Sequence, residues 1–138
     1  MSIVKSKYRG SVTYHLVFAE LINAAQYRGN VVYDQVAEIM GIFVRGHHMA
    51  AETGRILGEI SEDETLAGRP MLSAVAVNAG DLEPSDGFYQ LAQQLGLLTE
   101  DSSQARERFW HEQRDAVYAT WAKPRAMSQP KAAKAPAR

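Results

Sequence analysis

The chain has 138 residues, the size of one ordinary domain, and its 46% hydrophobic and 22% charged residues make a globular rather than a disordered composition. Fifteen Lys and Arg against sixteen Asp and Glu give a formal charge of −1, which excludes a strongly basic, wholly non-specific nucleic-acid coat. The absence of cysteine excludes a disulfide framework, a cysteine nucleophile, a thiolate zinc site and an iron–sulfur cluster, and suits a reducing, cytoplasmic setting.

The basic residues Lys5, Lys7 and Arg9 precede an apolar stretch, but Tyr14, His15, Glu20 and Asn23 interrupt it, so no signal peptide is expected. Nowhere do about 18 apolar residues run together, so no membrane span is expected either. Tyr14, Val17, Phe18, Leu21, Ile22 and Ala25 recur at three- and four-residue spacing and predict a helix from about Thr13 to Tyr27. Ser11 or Thr13 can cap its start, and Gly29 supplies a stop. Asn30 to Tyr33 reads as a short extended piece. A second helix follows from about Asp34 to Met40 and ends at Gly41, with a turn from Ile42 to Gly46.

A third helix is expected from about His47 to Ser61. Its buried stripe would hold Met49, Thr53, Ile56, Leu57 and Ile60, while His48, Glu52, Arg55 and Glu59 fall on the opposite stripe. Gly54 and Gly58 lie inside it, and an interior pair of this kind suggests a close backbone approach. Glu62 to Pro70 reads as a polar loop, Met71 to Val77 as the clearest strand, and Asn78 to Gly87 as a loop or hairpin tip. A short helix from Phe88 to Leu95 stops at Gly96. The last helix runs from about Ser102 to Ala122, with Asp101 and Gln104 placed as a capping box. Its inner face takes Ala105, Phe109, Trp110, Gln113, Ala116, Val117, Thr120 and Trp121.

Residues 122–138 differ in kind. They hold five basic residues, no acid, three prolines and six alanines, which predicts a disordered basic tail and leaves residues 1–121 as one net-acidic domain. Three helices followed by a strand and a loop is the order of a winged helix-turn-helix, in which His47 to Glu59 would be the recognition helix. The expected fold is therefore α+β and mainly helical, winged-helix-like over residues 12–78, with a C-terminal helical extension.

Two blocks resemble the DNA-binding domain of the alkylguanine-DNA alkyltransferases and the cysteine-less alkyltransferase-like proteins. Gly29-Asn30-Val31-Val32-Tyr33-Asp34-Gln35-Val36-Ala37 matches the family's G-x-V-x-Y-G-x-L-A, and Gly54-Arg55-Ile56-Leu57-Gly58 matches its A-R-x-V-G, with Arg55 at the arginine finger. Pro70 to Val75 sits where P-C-H-R-V belongs, with Met71 in place of the reactive cysteine and Leu72 and Ser73 in place of the histidine and arginine. The resemblance covers residues 29–78. Alkyl transfer needs an activated thiolate, which this chain lacks. What the resemblance implies is a winged-helix scaffold, with Tyr33 near a bound phosphate or flipped nucleotide and Arg55 inserted into the base stack.

The expected function is non-enzymatic DNA binding, without metal or cofactor. Arg45, His47, His48 and Arg55 would meet the duplex, and Arg28 and the tail the phosphates. Electrostatics oppose this: Glu52, Glu59 and the acids at 62–64 lie on or beside the same helix, where Arg55 could simply pair with Glu52 or Glu59. The alternative is a protein–protein interaction module or homodimer using the acidic face and the aromatic last helix, through Phe109, Trp110, Tyr118 and Trp121. His47-His48 offers no obvious metal-ligand set, and the acids at 59–64 and 81–86, which could serve a divalent metal, read as a solvated helix end and a polar loop; no phosphate loop or nucleophile elbow is present.

Overall fold

The apolar spacings along the chain become helix almost throughout. The computed structural model describes residues 2–123. Its elements are α1 (Val12–Gln26), β1 (Val31–Val32), α2 (Tyr33–Met40), α3 (Gly46–Leu66), a 3-10 turn (Leu72–Val75), β2 (Ala76–Val77), α4 (Asp86–Gln94) and α5 (Ser103–Trp121). The architecture is α+β and mainly helical. Its two short strands pair in parallel, Val31 with Ala76 and Val32 with Val77. The expected basic tail falls outside the described residues except for Ala122 and Lys123.

Local chemistry sets the helix ends. The Ser11 hydroxyl accepts from the Tyr14 amide and starts α1, and the Ser102 hydroxyl accepts from the Ala105 amide and starts α5. Asp101 is not that cap; it pairs with Arg106 instead. At the end of α1 the left-handed residue is Arg28 (φ 55°), not Gly29. The amides of Arg28 and Gly29 return to the carbonyls of Ala25 and Ala24, which is a Schellman stop with a non-glycine residue at its tight position.

Two further expectations change. The third helix runs five residues beyond Ser61, through the acids at 62–64, and stops only at Gly68 (φ 82°), where the Arg69 amide returns to the Glu64 carbonyl. The segment 71–77 is not one strand but a 3-10 turn leading into two strand residues. Every residue from Met71 to Val77 is buried, because this segment threads the centre of the molecule between α1, α3 and α5. There the Trp110 indole donates to the Ala74 carbonyl (2.9 Å), and the Gln113 side chain accepts from the Met71 amide (2.9 Å). One hydrophobic cluster takes residues from all five helices, among them Val17, Leu21, Val36, Ile56, Ile60, Leu91, Phe109 and Val117.

Candidate nucleic-acid interface

The exposed side of α3 is built by its sequence spacing. Ile56, Leu57 and Ile60 turn into the core. Arg45, which precedes the helix, and His47, His48, Ala51 and Arg55 point to solvent. His47, Ala51 and Arg55 follow one another at four-residue steps and so share one line of the helix. Arg55 has no ion pair among the described residues.

The acids do not share that exposure. Glu52, Glu59, Glu62 and Glu64 are buried, and Glu59 is fully so. The outward stripe expected for Glu52 and Glu59, and the polar loop expected at Glu62, are corrected by the segment 2–9, which lies across α3 as a strap. The Glu59 carboxylate accepts from three successive backbone amides, Lys7 (2.8 Å), Tyr8 (3.0 Å) and Arg9 (2.8 Å). Consecutive amides converging in this way make a small anion-binding nest. Glu62 accepts from the Ile3 amide (2.6 Å), the Ser2 hydroxyl (2.6 Å) and the Arg9 guanidinium (2.7 Å). Asp63 accepts from Arg9 Nε (3.0 Å) and from the Tyr14 hydroxyl. Glu52 accepts from the Lys7 ammonium (2.8 Å) and the Tyr8 hydroxyl. Glu64 is held on another side by both arms of Arg69 (3.0 and 2.8 Å).

These contacts shift ionisation in both directions. Burial opposes the Glu62 charge, but its hydrogen bonds to Ser2, Ile3, Val4 and Arg9 outweigh that and hold it below the usual carboxylate range. The Lys7 and Tyr8 hydrogen bonds lower Glu52 in the same sense. Burial pushes the Tyr14 hydroxyl well up, and its bond to Asp63 adds to the shift.

Beside the first turns of α3 lies a cleft of about 420 Å³. Gly46, Ala50 and Gly54 form one wall, Phe88, Leu91 and Gln94 of α4 another, and Tyr33, Asp34 and Asn78 the rim. Tyr33 is half-buried, and its hydroxyl accepts from the Ser85 amide (2.9 Å). Burial raises its pKa, so it stays a neutral hydroxyl. Met71, at the position of the resembled family's cysteine, is fully buried in the core. No family model, curated protein or solved structure matches the chain.

The structure thus places His47, His48 and Arg55 on α3 with Arg45 just before it, and Tyr33 lines the adjoining cleft. Arg28 stands apart, at the end of α1, with its guanidinium 5.6 Å over the Tyr118 ring. The aromatic face proposed for a protein partner is turned inward: Phe109, Trp110 and Tyr118 are buried and Trp121 half-buried. The Tyr118 hydroxyl donates to the Gly29 carbonyl (3.0 Å), which fixes the corner between α1 and β1. The rings of α5 thus belong largely to the core. Among the described residues no group of three or more His, Asp or Glu side chains could hold a metal ion, and no helix is long and apolar enough to cross a membrane.

Sequence reasoning missed the strap. Lys5, Lys7 and Arg9 were legible as cations. The signal for docking was the acid spacing 52, 59, 62, 63, which winds along one side of a helix once the helix is carried past Ser61.

Proposed function

We propose that this chain binds duplex DNA without catalysing a reaction on it, through the first three turns of α3. One observation carries the reading: the exposed side of those turns presents Arg45, His47, His48 and Arg55, while the one acid among residues 46–55, Glu52, is turned under the strap against Lys7 and Tyr8. The pairing of Glu52 with Lys7 weakens the electrostatic objection raised by the composition of α3. The segment 2–9 adds two exposed cations, Lys5 and Lys7, the latter paired with Glu52 of α3. Affinity would come mainly from phosphate neutralisation, with the helix seated against a groove.

The order α1, α2, α3, strand and loop supports a winged helix-turn-helix arrangement, with the turn at Gly41 (φ 74°) leading into α3 and the loop after β2 in the position of the wing. The cleft beside α3 has room for an extruded base, and Tyr33, Asp34 and Asn78 place hydrogen-bonding groups at its mouth. A cytoplasmic protein is in keeping with this role.

Electrophoretic retardation of random duplex at low salt tests the reading. Arg55→Ala should weaken binding about threefold or more and lower the slope of log K against log salt by about one. Unchanged affinity removes Arg55 from the interface, and a wild-type chain that retards no duplex ends the DNA reading. Tighter retardation of lesion-bearing duplex, lost in Tyr33→Ala, would locate the extruded base in the cleft.

A further inference from the structure

We infer that the strap, residues 2–9, is a charge mask whose docking determines whether the α3 face accepts a polyanion; the DNA half of this inference rests on the reading above. The strap brings Lys5, Lys7 and Arg9 to α3 and covers Glu52, Glu59, Glu62 and Asp63. Docked, it leaves Lys5, half-exposed Lys7 and Arg55 facing out. Undocked, it opens a row of four carboxylates on the helix that carries Arg55, and the face becomes anionic.

What holds the strap is mostly charge. Ile3, Lys5, Ser6 and Lys7 are exposed, and the strap's apolar anchors are two half-buried side chains, Tyr8 and Val4, the latter near Gly58 at one end of the cleft. Arg9 is the keystone. Its guanidinium donates to Glu62 and Asp63 on α3, and also to the Val4 carbonyl (2.9 Å) and the Ser6 hydroxyl (2.7 Å) within the strap itself. It therefore sets both the shape of the strap and its seat. A compact ammonium cannot make that planar set of contacts at once. The Arg9 side chain is well shielded, at 19% exposure, so it serves the strap rather than an incoming phosphate.

Two single substitutions separate masking from simple loss of charge. Lys5→Ala and Arg9→Ala each delete one positive charge. Lys5 makes no hydrogen bond or ion pair with another described residue, whereas Arg9 holds the strap. Lys5→Ala should weaken duplex retardation about threefold, as for one phosphate contact, and Arg9→Ala by more than about tenfold, as the uncovered carboxylates repel the backbone. Adding Glu62→Gln to Arg9→Ala should recover part of the loss. Hydrogen exchange gives a second readout that needs no DNA: the Lys7, Tyr8 and Arg9 amides should be protected in the wild type and in Lys5→Ala, and exposed in Arg9→Ala. If Arg9→Ala does not fold, Arg9→Lys, which conserves charge but loses the fork, should still lose more affinity than Lys5→Ala. Equal losses in the Lys5 and Arg9 variants, or unprotected amides at 7–9 in the wild type, overturn the mask. A wild type with protected amides that binds no duplex overturns the DNA reading and leaves the docked strap in place.

Discussion

Glu59 shows how one residue organises its surroundings. It is fully buried, and its carboxylate is met by three backbone amides rather than by a side-chain cation. Hydrogen bonds to a charged group are worth more than neutral ones, and donors stripped of their acceptor incur a desolvation cost. Glu59→Ala should therefore lower the unfolding free energy by about 3 kcal/mol in urea titration, and Glu59→Gln, which keeps one acceptor oxygen, by less. A Glu59→Ala chain as stable as the wild type would mean that the strap gains nothing from this contact. Arg55 makes the opposite case. It is exposed and makes no hydrogen bond with the described residues, so its substitution should alter binding and leave stability nearly unchanged.

At the scale of the element, α3 holds glycines of two kinds. Gly54 is helical and faces the cleft, and a Cβ built there meets nothing within 4 Å. Gly54→Ala should stabilise the fold by up to about 1 kcal/mol, the propensity difference in a helix interior. Gly68 sits at φ 82°, where it lets the helix turn off through its Schellman bonds. Gly68→Ala has open space but the wrong backbone, and should destabilise by about 1 kcal/mol. Thermal or urea unfolding of the two variants checks the opposite signs. Two losses would place something against Gly54, and two gains would free the end of α3 from its left-handed requirement.

Across the whole molecule, the carboxylates under the strap link stability to pH. Hydrogen bonds with Lys7 and Tyr8 hold Glu52 low, and those with Ser2, Ile3, Val4 and Arg9 hold Glu62 low against burial. A depressed folded pKa gives stability that is fully present above the ordinary carboxylate range and is lost as pH falls through the lowered value. The urea midpoint should therefore stay level from about pH 6 to 8 and fall below about pH 4. The Ile3 and Val4 amides, which meet Glu62, should lose exchange protection over the same interval. A midpoint that rises on acidification would contradict the direction of both shifts.

The sequence was most legible where structure is local. The five helices follow from apolar spacing, and Ser11 was legible as a cap because a hydroxyl needs only the amide three residues on. The exposed cluster at 45–55 follows from the same helical period. The run 71–77 read as the clearest strand and proved to be mostly a 3-10 turn, because a nearly continuous apolar segment carries no periodicity that separates strand from turn. The composition and spacing of α3 alone pointed to an acidic, solvated stripe. Only the tertiary structure decided that Glu52, Glu59 and Glu62 are buried and Asp63 paired, since their partners lie 44 to 60 residues earlier in the chain. A carboxylate's burial depends on the donors that meet it, and a pattern read along one helix cannot specify donors brought from so far away.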